Sequence, residues 1–209
     1  MRLRCLTALA LVLVLPATAA PPDPVPVVPE GGELLRIDPV RSRIEFSLRL
    51  LLVRRLDGRF PLVEGTVLLD RSRDTADIAV AIDAREVMME RPDYAEWARS
   101  PEFFDANRHP EIRFSARGVP LALFRDGGDL DGALSLRGIT RPATLTLRPS
   151  DCEEPGLGCP VEAEGELSRG DFGMVARRFV LSDKVRLAFT IRVAGDAPAP
   201  QHAAAGAGP

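Results

Sequence analysis

The chain has 209 residues, of which 27 are basic and 30 acidic, so its formal net charge is −3. A mildly acidic chain does not favour nucleic-acid binding, and its overall charge gives no attraction to anionic lipid. Two histidines and three cysteines leave few candidate ligands for a metal site, so no metal is expected.

The first 19 residues have the features of a cleaved signal peptide. Arg2 and Arg4 precede an apolar run over residues 6–15, and residues 17–19 (Ala-Thr-Ala) are small, as at a cleavage site. The run is too short to span a bilayer, although a retained membrane anchor is the alternative. Cleavage after Ala19 removes two of the 27 basic residues and none of the 30 acidic ones, so the net charge becomes −5. We therefore expect an exported protein.

The ends of the remaining chain look unlike a packed domain. Residues 20–33 hold five prolines, which predicts a stiff, extended linker. Residues 196–209 are rich in alanine, proline and glycine, which predicts a disordered tail. Residues 34–195 lie between them and are numerous enough for one domain with its own core.

Alternation of apolar and polar residues predicts eight β-strands in this domain. In the first strand Ile44 and Phe46 alternate with Glu45, and a turn is predicted after it at Asp57-Gly58. The other seven are predicted at Arg59–Leu69, Ile78–Ile82, Ile112–Ala116, Leu130–Leu136, Ala143–Leu147, Val161–Leu167 and Val185–Val193. The pattern favours an all-β fold, an eight-stranded antiparallel barrel whose interior is either filled or able to hold one small ligand.

Residues 86–99 form the one stretch of helical composition with any length. Pro92 suits the first turn of a helix. The stretch also contains the single tyrosine and the single tryptophan of the chain, Tyr94 and Trp97. We predict a short helix near a barrel mouth, where the two rings either line the mouth or pack the helix onto the barrel.

Two later stretches each combine a turn with a predicted strand in which apolar and polar residues alternate. Ser100-Pro101 can start a single helical turn, and Phe103-Phe104 then supplies an apolar plug before the strand at residues 112–116. In residues 134–147 the alternation is broken at Gly138 and then resumes, which predicts a hairpin with one apolar face.

These two stretches, together with Ser168–Met174 (SRGDFGM), resemble the YceI-like family of polyisoprenoid-binding proteins. The resemblance covers about Leu34 to Val193. It implies a lipocalin-like antiparallel barrel that holds a long isoprenoid or similar lipid. It also implies a periplasmic location, because many members are exported to the bacterial periplasm.

The chain departs from the family pattern at positions that bear on the ligand. Many members have histidines at or near the positions of Arg41 and Leu50, and a polar run where residues 94–98 stand here. Loss of those polar groups favours a quinone or another neutral lipid over a lipid with a phosphate headgroup.

Small residues on the predicted inward faces leave room inside the barrel. They are Ala116, Gly132, Ala143, Ala163 and Gly165. Unfilled apolar space invites a ligand, and with the family resemblance it favours an apolar tunnel over a filled core. The predicted lining residues are Phe46, Leu48, Leu50, Phe60, Tyr94, Trp97, Ile112, Phe114, Leu134, Leu136, Ala143, Leu145, Phe172, Met174, Leu187, Phe189 and Ile191.

Two cysteines remain after the predicted cleavage. Cys152 and Cys159 bracket a turn-rich loop, which in an exported protein favours a disulfide over a metal site. A ring this short stabilises the fold by about 2–3 kcal/mol in the loop-entropy model.

The favoured function is a carrier that holds an apolar lipid. An enzyme acting on a lipid or isoprenoid, and an interaction module with a vestigial cavity, are the alternatives. No catalytic residue is predicted, because the lone candidate base, His109, lacks a plausible nucleophile and partner. We expect no cofactor beyond the lipid, and transient contact with a membrane is compatible with the role. The sequence does not predict the oligomeric state.

Overall fold

A computed structural model describes residues 32–51 and 53–194 of the chain. The predicted signal peptide and tail lie outside the described residues, as does the linker apart from Gly32 and Glu33. Those two residues already belong to a strand, so the folded region begins slightly before the predicted boundary. Within the described ranges, no helix has the length and apolar character needed to cross a membrane.

Across the described residues the fold is built almost entirely from β-strands, with two short α-helices. The helices are α1 (Pro92–Arg99) and α2 (Leu123–Asp126). The strands are β1 (Gly32–Ile37), β2 (Arg43–Leu50), β3 (Arg54–Phe60), β4 (Glu64–Asp70), β5 (Thr75–Asp83), β6 (Met88–Met89), β7 (Glu111–Pro120), β8 (Gly128–Leu136), β9 (Ile139–Leu147), β10 (Val161–Ser168), β11 (Lys184–Ile191) and β12 (Val193–Ala194).

All strand pairs are antiparallel, and neighbours follow the order β12-β1-β4-β5-β7-β8-β9-β10-β11-β2-β3-β6. Only Arg192 separates β11 from β12, so one nearly continuous strand pairs with β2 along its first part and with β1 at its end. The sheet therefore curls round on itself. This confirms the predicted all-β, antiparallel, lipocalin-like barrel.

The number of strands differs from the predicted eight. The predicted strand Arg59–Leu69 is interrupted over residues 61–63, where Pro61 has no N–H to continue a ladder, and it contributes to both β3 and β4. The turn predicted at Asp57-Gly58 is wrong, because both residues lie inside β3. Gly58 pairs with Phe46, and a Cβ added there would collide with the Phe46 ring, so this glycine makes room for packing and does not form a turn.

The predicted short helix is confirmed but starts later. Pro92 is its first residue, and the segment before it forms a 3₁₀ turn (Ala84–Glu86) and β6. The guanidinium of Arg99 ties the end of α1 back to this segment by donating to the carbonyls of Arg85 (2.7 Å) and Val87 (3.1 Å).

The β8–β9 hairpin joins the two motif stretches that the sequence singled out. Arg137 and Gly138 form its turn, and both have positive φ (53° and 71°), as a tight two-residue hairpin turn requires. The guanidinium of Arg137 donates to the carbonyls of Pro101 (2.9 Å) and Phe103. The hairpin tip therefore holds the loop between α1 and β7 in place.

Candidate functional site

The barrel encloses an apolar cavity of about 540 Å³. It extends from α1 and the loop after it, which contribute Trp97 and Phe103, to the other end of the barrel, where Phe124 and Leu157 lie. Most of its wall consists of inward aliphatic and aromatic side chains of the strands. The volume falls within the range of about 300–1,000 Å³ typical of pockets for small ligands.

Fifteen of the seventeen predicted lining residues lie on the wall of this cavity. Their contact with a ligand stays a prediction. They are Phe46, Leu48, Phe60, Tyr94, Trp97, Ile112, Phe114, Leu134, Leu136, Ala143, Leu145, Met174, Leu187, Phe189 and Ile191.

The other two predicted lining residues do not reach the cavity. Leu50 pairs with Leu181 at the barrel end and packs in a separate cluster around Leu56 and Phe103. Phe172 is buried in the main core, within a 3₁₀ turn. Both side chains pack against other parts of the fold, and the structure does not place them on the cavity wall.

The five small inward residues have different surroundings. Ala143 and Ala163 line the cavity. At Gly132, an added Cβ would lie 2.5 Å from the Phe114 ring, and at Gly165 it would lie 2.6 Å from Leu145, so larger neighbours already fill both spaces. Ala116 is buried in the core and is absent from the cavity wall. The inference that all five leave open room is therefore wrong for three of them.

Aromatic rings close around the cavity at the α1 end. The rings of Phe46, Phe60 and Phe104 contact one another with centroids 5.6–5.8 Å apart. Trp97 lies edge-on to Phe103 at 4.4 Å and donates its indole N–H to Glu102 at 2.9 Å. The hydrogen bonds that Glu102 accepts from Trp97 and Arg177 lower the pKa of its carboxyl.

Tyr94 and Trp97 both line the cavity and pack α1 onto the barrel. The two alternatives predicted for these rings are thus satisfied together.

A buried arginine braces the same end. Arg169, from the SRGDFGM stretch, is 1% exposed and borders the cavity. Its guanidinium donates to the carbonyls of Ser182 (2.9 Å), Met174 (2.6 Å), Ala176 (2.7 Å) and Leu181 (3.2 Å). Burial lowers the pKa of this side chain. The four bonds fasten the loop over residues 174–182 to the barrel, a role that the sequence did not indicate because a charged residue is usually solvated.

The opposite end of the cavity is charged and held by a disulfide. Its wall there includes Arg71, Asp74, Arg125, Glu153 and Glu154, all of them exposed. The predicted bond between the two cysteines at 152 and 159 is present, with their Cα atoms 6.3 Å apart. The clipped loop is joined to β12 by a hydrogen bond from the N–H of residue 193 to the carbonyl of residue 156, at 2.9 Å. Across the described residues, no group of three or more metal-ligating side chains occurs.

Comparison with known proteins gives consistent matches. The model of the YceI-like domain family matches residues 35–193. "Protein YceI" of Escherichia coli O17:K52:H18 is 28% identical over 154 residues, which cover 71% of this chain and 78% of that protein. "Protein YceI" of Salmonella newport is 27% identical over the same shares.

Two solved structures share the fold. Burkholderia cenocepacia BcnA has a TM-score of 0.59 at 18% identity, covering 76% of this chain and 99% of that one. A polyisoprenoid binding domain from Saccharophagus degradans, described as implicated in plant cell wall breakdown, has a TM-score of 0.58 at 15% identity, covering 77% and 98%.

Proposed function

The chain belongs to the YceI-like family, and from this premise we propose that it binds a long apolar lipid of the isoprenoid class inside the barrel and carries it in the periplasm. The observation that carries the proposal is the lengthwise apolar cavity of about 540 Å³. The structural neighbour described as a polyisoprenoid binding domain supports the ligand class.

The cavity suits an extended chain better than a compact polar molecule. Apolar side chains line its length, and five exposed charged residues lie on its wall at the disulfide end. Each CH₂ group that enters such a wall contributes about 0.8 kcal/mol. Affinity therefore rises with the length of the lipid until the cavity is full, and then stops rising.

We further propose a neutral headgroup, such as that of an isoprenoid quinone. The guanidinium of Arg169 borders the cavity, but each of its nitrogens already donates to backbone carbonyls. Aromatic rings occupy the surrounding wall, with Tyr94, Trp97 and Phe103 among them. These surroundings favour a carbonyl or aromatic headgroup over a phosphate dianion.

The direct test is to identify and then replace the bound lipid. Mass spectrometry of a lipid extract of the purified protein is expected to find an isoprenoid lipid. A binding series of quinones with increasing side-chain length should show affinity that increases and then levels off. Affinity that does not change with side-chain length would contradict binding of the chain along the cavity.

Two residues that face each other across β8 and β9 offer a matched pair of variants. Gly132 pairs with Ala143, yet only Ala143 lines the cavity. Ala143→Phe should leave the melting temperature of lipid-free protein near wild type and abolish lipid binding, because the ring fills free space. Gly132→Ala should lower stability by about 1–3 kcal/mol, because it pushes against the Phe114 ring. Strong destabilisation of lipid-free Ala143→Phe protein would contradict open space at that point.

The proposed carrier acts after export and without chemical turnover. N-terminal sequencing of protein from the periplasm is expected to begin near Ala20, and retention of Arg2 would contradict this. Incubation with an isoprenoid quinone should return the lipid unchanged, and a product seen by mass spectrometry would support the enzyme alternative.

A further inference from the structure

Exposed apolar side chains gather in two adjoining loops at the α1 end. Of seven large apolar residues exposed in the described ranges, four lie there: Leu51 (59%), Val53 (88%), Val175 (50%) and Phe179 (102%). The loops are joined, because the N–H of Leu51 donates to the carbonyl of residue 180 at 2.6 Å. We call residues 49–51, 53–55 and 175–181 the arginine-rich rim. A cluster of exposed apolar side chains that includes a fully exposed phenylalanine indicates a surface that contacts a membrane or a protein partner.

The rim is basic, although the chain as a whole is acidic. It contains five exposed arginines, at positions 49, 54, 55, 177 and 178, and no acidic residue. Arg55 and Arg177 are ion-paired with Asp57 and Glu102. Within the described part of the chain, Arg54 and Arg178 have no carboxylate within ion-pair distance. The rim therefore carries net positive charge beside its apolar tips.

Basic side chains continue from the rim onto the neighbouring outer surface. A cleft of about 390 Å³ lies between β2 and β11, and its wall includes Arg49, Arg55, Lys184 and Arg186, with Glu166 as its acidic member. The positive surface is thus larger than the two loops alone.

The rim lies at one end of the cavity. Leu181 belongs to the rim and also lines the cavity. The guanidinium of Arg177 lies 4.9 Å from the Trp97 ring centroid, and that of Arg54 lies 6.0 Å from the Tyr94 ring centroid. Whatever the rim contacts is therefore brought to the end of the barrel where α1 covers the cavity.

We propose that the arginine-rich rim docks the protein onto an anionic bilayer surface, so that lipid passes between the membrane and the cavity at the α1 end. Arginines near such a surface each raise affinity by about fivefold. Phenylalanine and aliphatic side chains between them enter the boundary of headgroups and acyl chains. The inference deepens the proposed function and rests on it, since docking serves transfer only if the cavity holds lipid.

Flotation of the exported protein with phosphatidylcholine vesicles, with and without phosphatidylglycerol, tests docking directly. We expect binding to the anionic vesicles, weaker binding to neutral ones, and release at high salt. Arg54→Glu combined with Arg178→Glu should weaken anionic-vesicle binding by at least about 25-fold. Val53→Ser combined with Phe179→Ser should weaken it by about tenfold.

Matched controls change the same residue types outside the rim. Arg36→Glu with Arg117→Glu alters the net charge equally, and Val40→Ser with Leu62→Ser removes exposed apolar residues elsewhere. Both controls should bind anionic vesicles nearly as wild type. An equal loss in the controls would overturn the assignment to the rim.

A second measurement separates docking from lipid binding. Uptake of an isoprenoid quinone from dilute detergent, with no vesicles present, should be unaffected in the rim variants, whereas transfer from anionic vesicles should be slowed. Wild-type protein that takes up the quinone but does not bind vesicles would overturn docking and leave the proposed function standing. Failure of quinone uptake would overturn the proposed function itself. Vesicle-independent capture of an acidic protein by the rim would replace the membrane with a protein partner.

Discussion

The two ends of the cavity are held by different means. At the α1 end, packed aromatic rings and the buried guanidinium of Arg169 hold helix and loops together through contacts between distant parts of the chain. At the other end, a short loop is closed by the Cys152–Cys159 disulfide, and exposed charged residues surround it. The first end depends on burial and the second on a covalent clip. Perturbations that weaken one end should therefore leave the other largely intact.

The largest effect is expected from replacing the buried arginine. Arg169→Met removes four hydrogen bonds to backbone carbonyls that have little access to water. Because buried polar groups without partners are costly, we expect the free energy of unfolding to fall by about 3–5 kcal/mol. Urea denaturation measures this. The exposed neighbour provides the control, since Arg178→Met should change stability by no more than about 0.5 kcal/mol. A loss below about 1 kcal/mol in Arg169→Met protein would show that the loop is held by other contacts.

An intermediate effect is expected at the disulfide end. Cys152→Ser combined with Cys159→Ser should lower the free energy of unfolding by about 2–3 kcal/mol, because the unfolded chain gains freedom. Reductant should have the same effect on wild-type protein and none on the double variant. The near-ultraviolet signal of the aromatic rings at the α1 end should stay native in the double variant. Loss of that signal would show that the two ends are coupled.

The smallest effect concerns the turn between β4 and β5, near the disulfide end. The Asp70 carboxylate accepts hydrogen bonds from the Ser72 hydroxyl (2.6 Å) and from Nε of Arg73 (2.6 Å), and these lower its pKa from the ordinary 3.8 to about 2. A lowered folded-state pKa means that the stabilisation is present above about pH 4 and is lost as the pH falls toward 2.

Melting temperatures of wild type and Asp70→Asn protein measure this contribution. Above about pH 4, wild type should have the higher melting temperature. The difference in melting temperature should disappear as the Asp70 carboxyl is protonated near pH 2. If the difference in melting temperature does not change with pH across this range, the charge of the Asp70 carboxylate is not its cause.

Sequence periodicity was enough to predict the barrel and most of its cavity wall, because inward positions alternate with outward ones along each strand. It could not predict which inward positions face open space. Gly132 and Ala143 are both small and inward, yet the ring of Phe114 fills only the space beside Gly132. That difference depends on the rotamer of a residue from another strand.

Two further features lacked any local signal. Asp57-Gly58 carries the residues of a turn, but Gly58 is required opposite Phe46 inside a strand. Arg169 is a charged residue at the start of a 3₁₀ turn, and nothing in the neighbouring sequence indicates four carbonyl acceptors for it. The disulfide, in contrast, was predictable because both cysteines flank one short turn.

The strand that closes the barrel is the last one in the described part of the chain. β12 pairs with β1, and the hydroxyl of Ser42 donates to the carbonyl of Arg192, 150 residues later. Contacts this distant in sequence slow folding, because loop-closure entropy must be overcome before they form. Until Val193 has emerged, β1 lacks its final partner and the cavity has no complete wall. The order of synthesis therefore delays closure of the barrel until nearly all of the domain is available, and lipid can be enclosed only after that step.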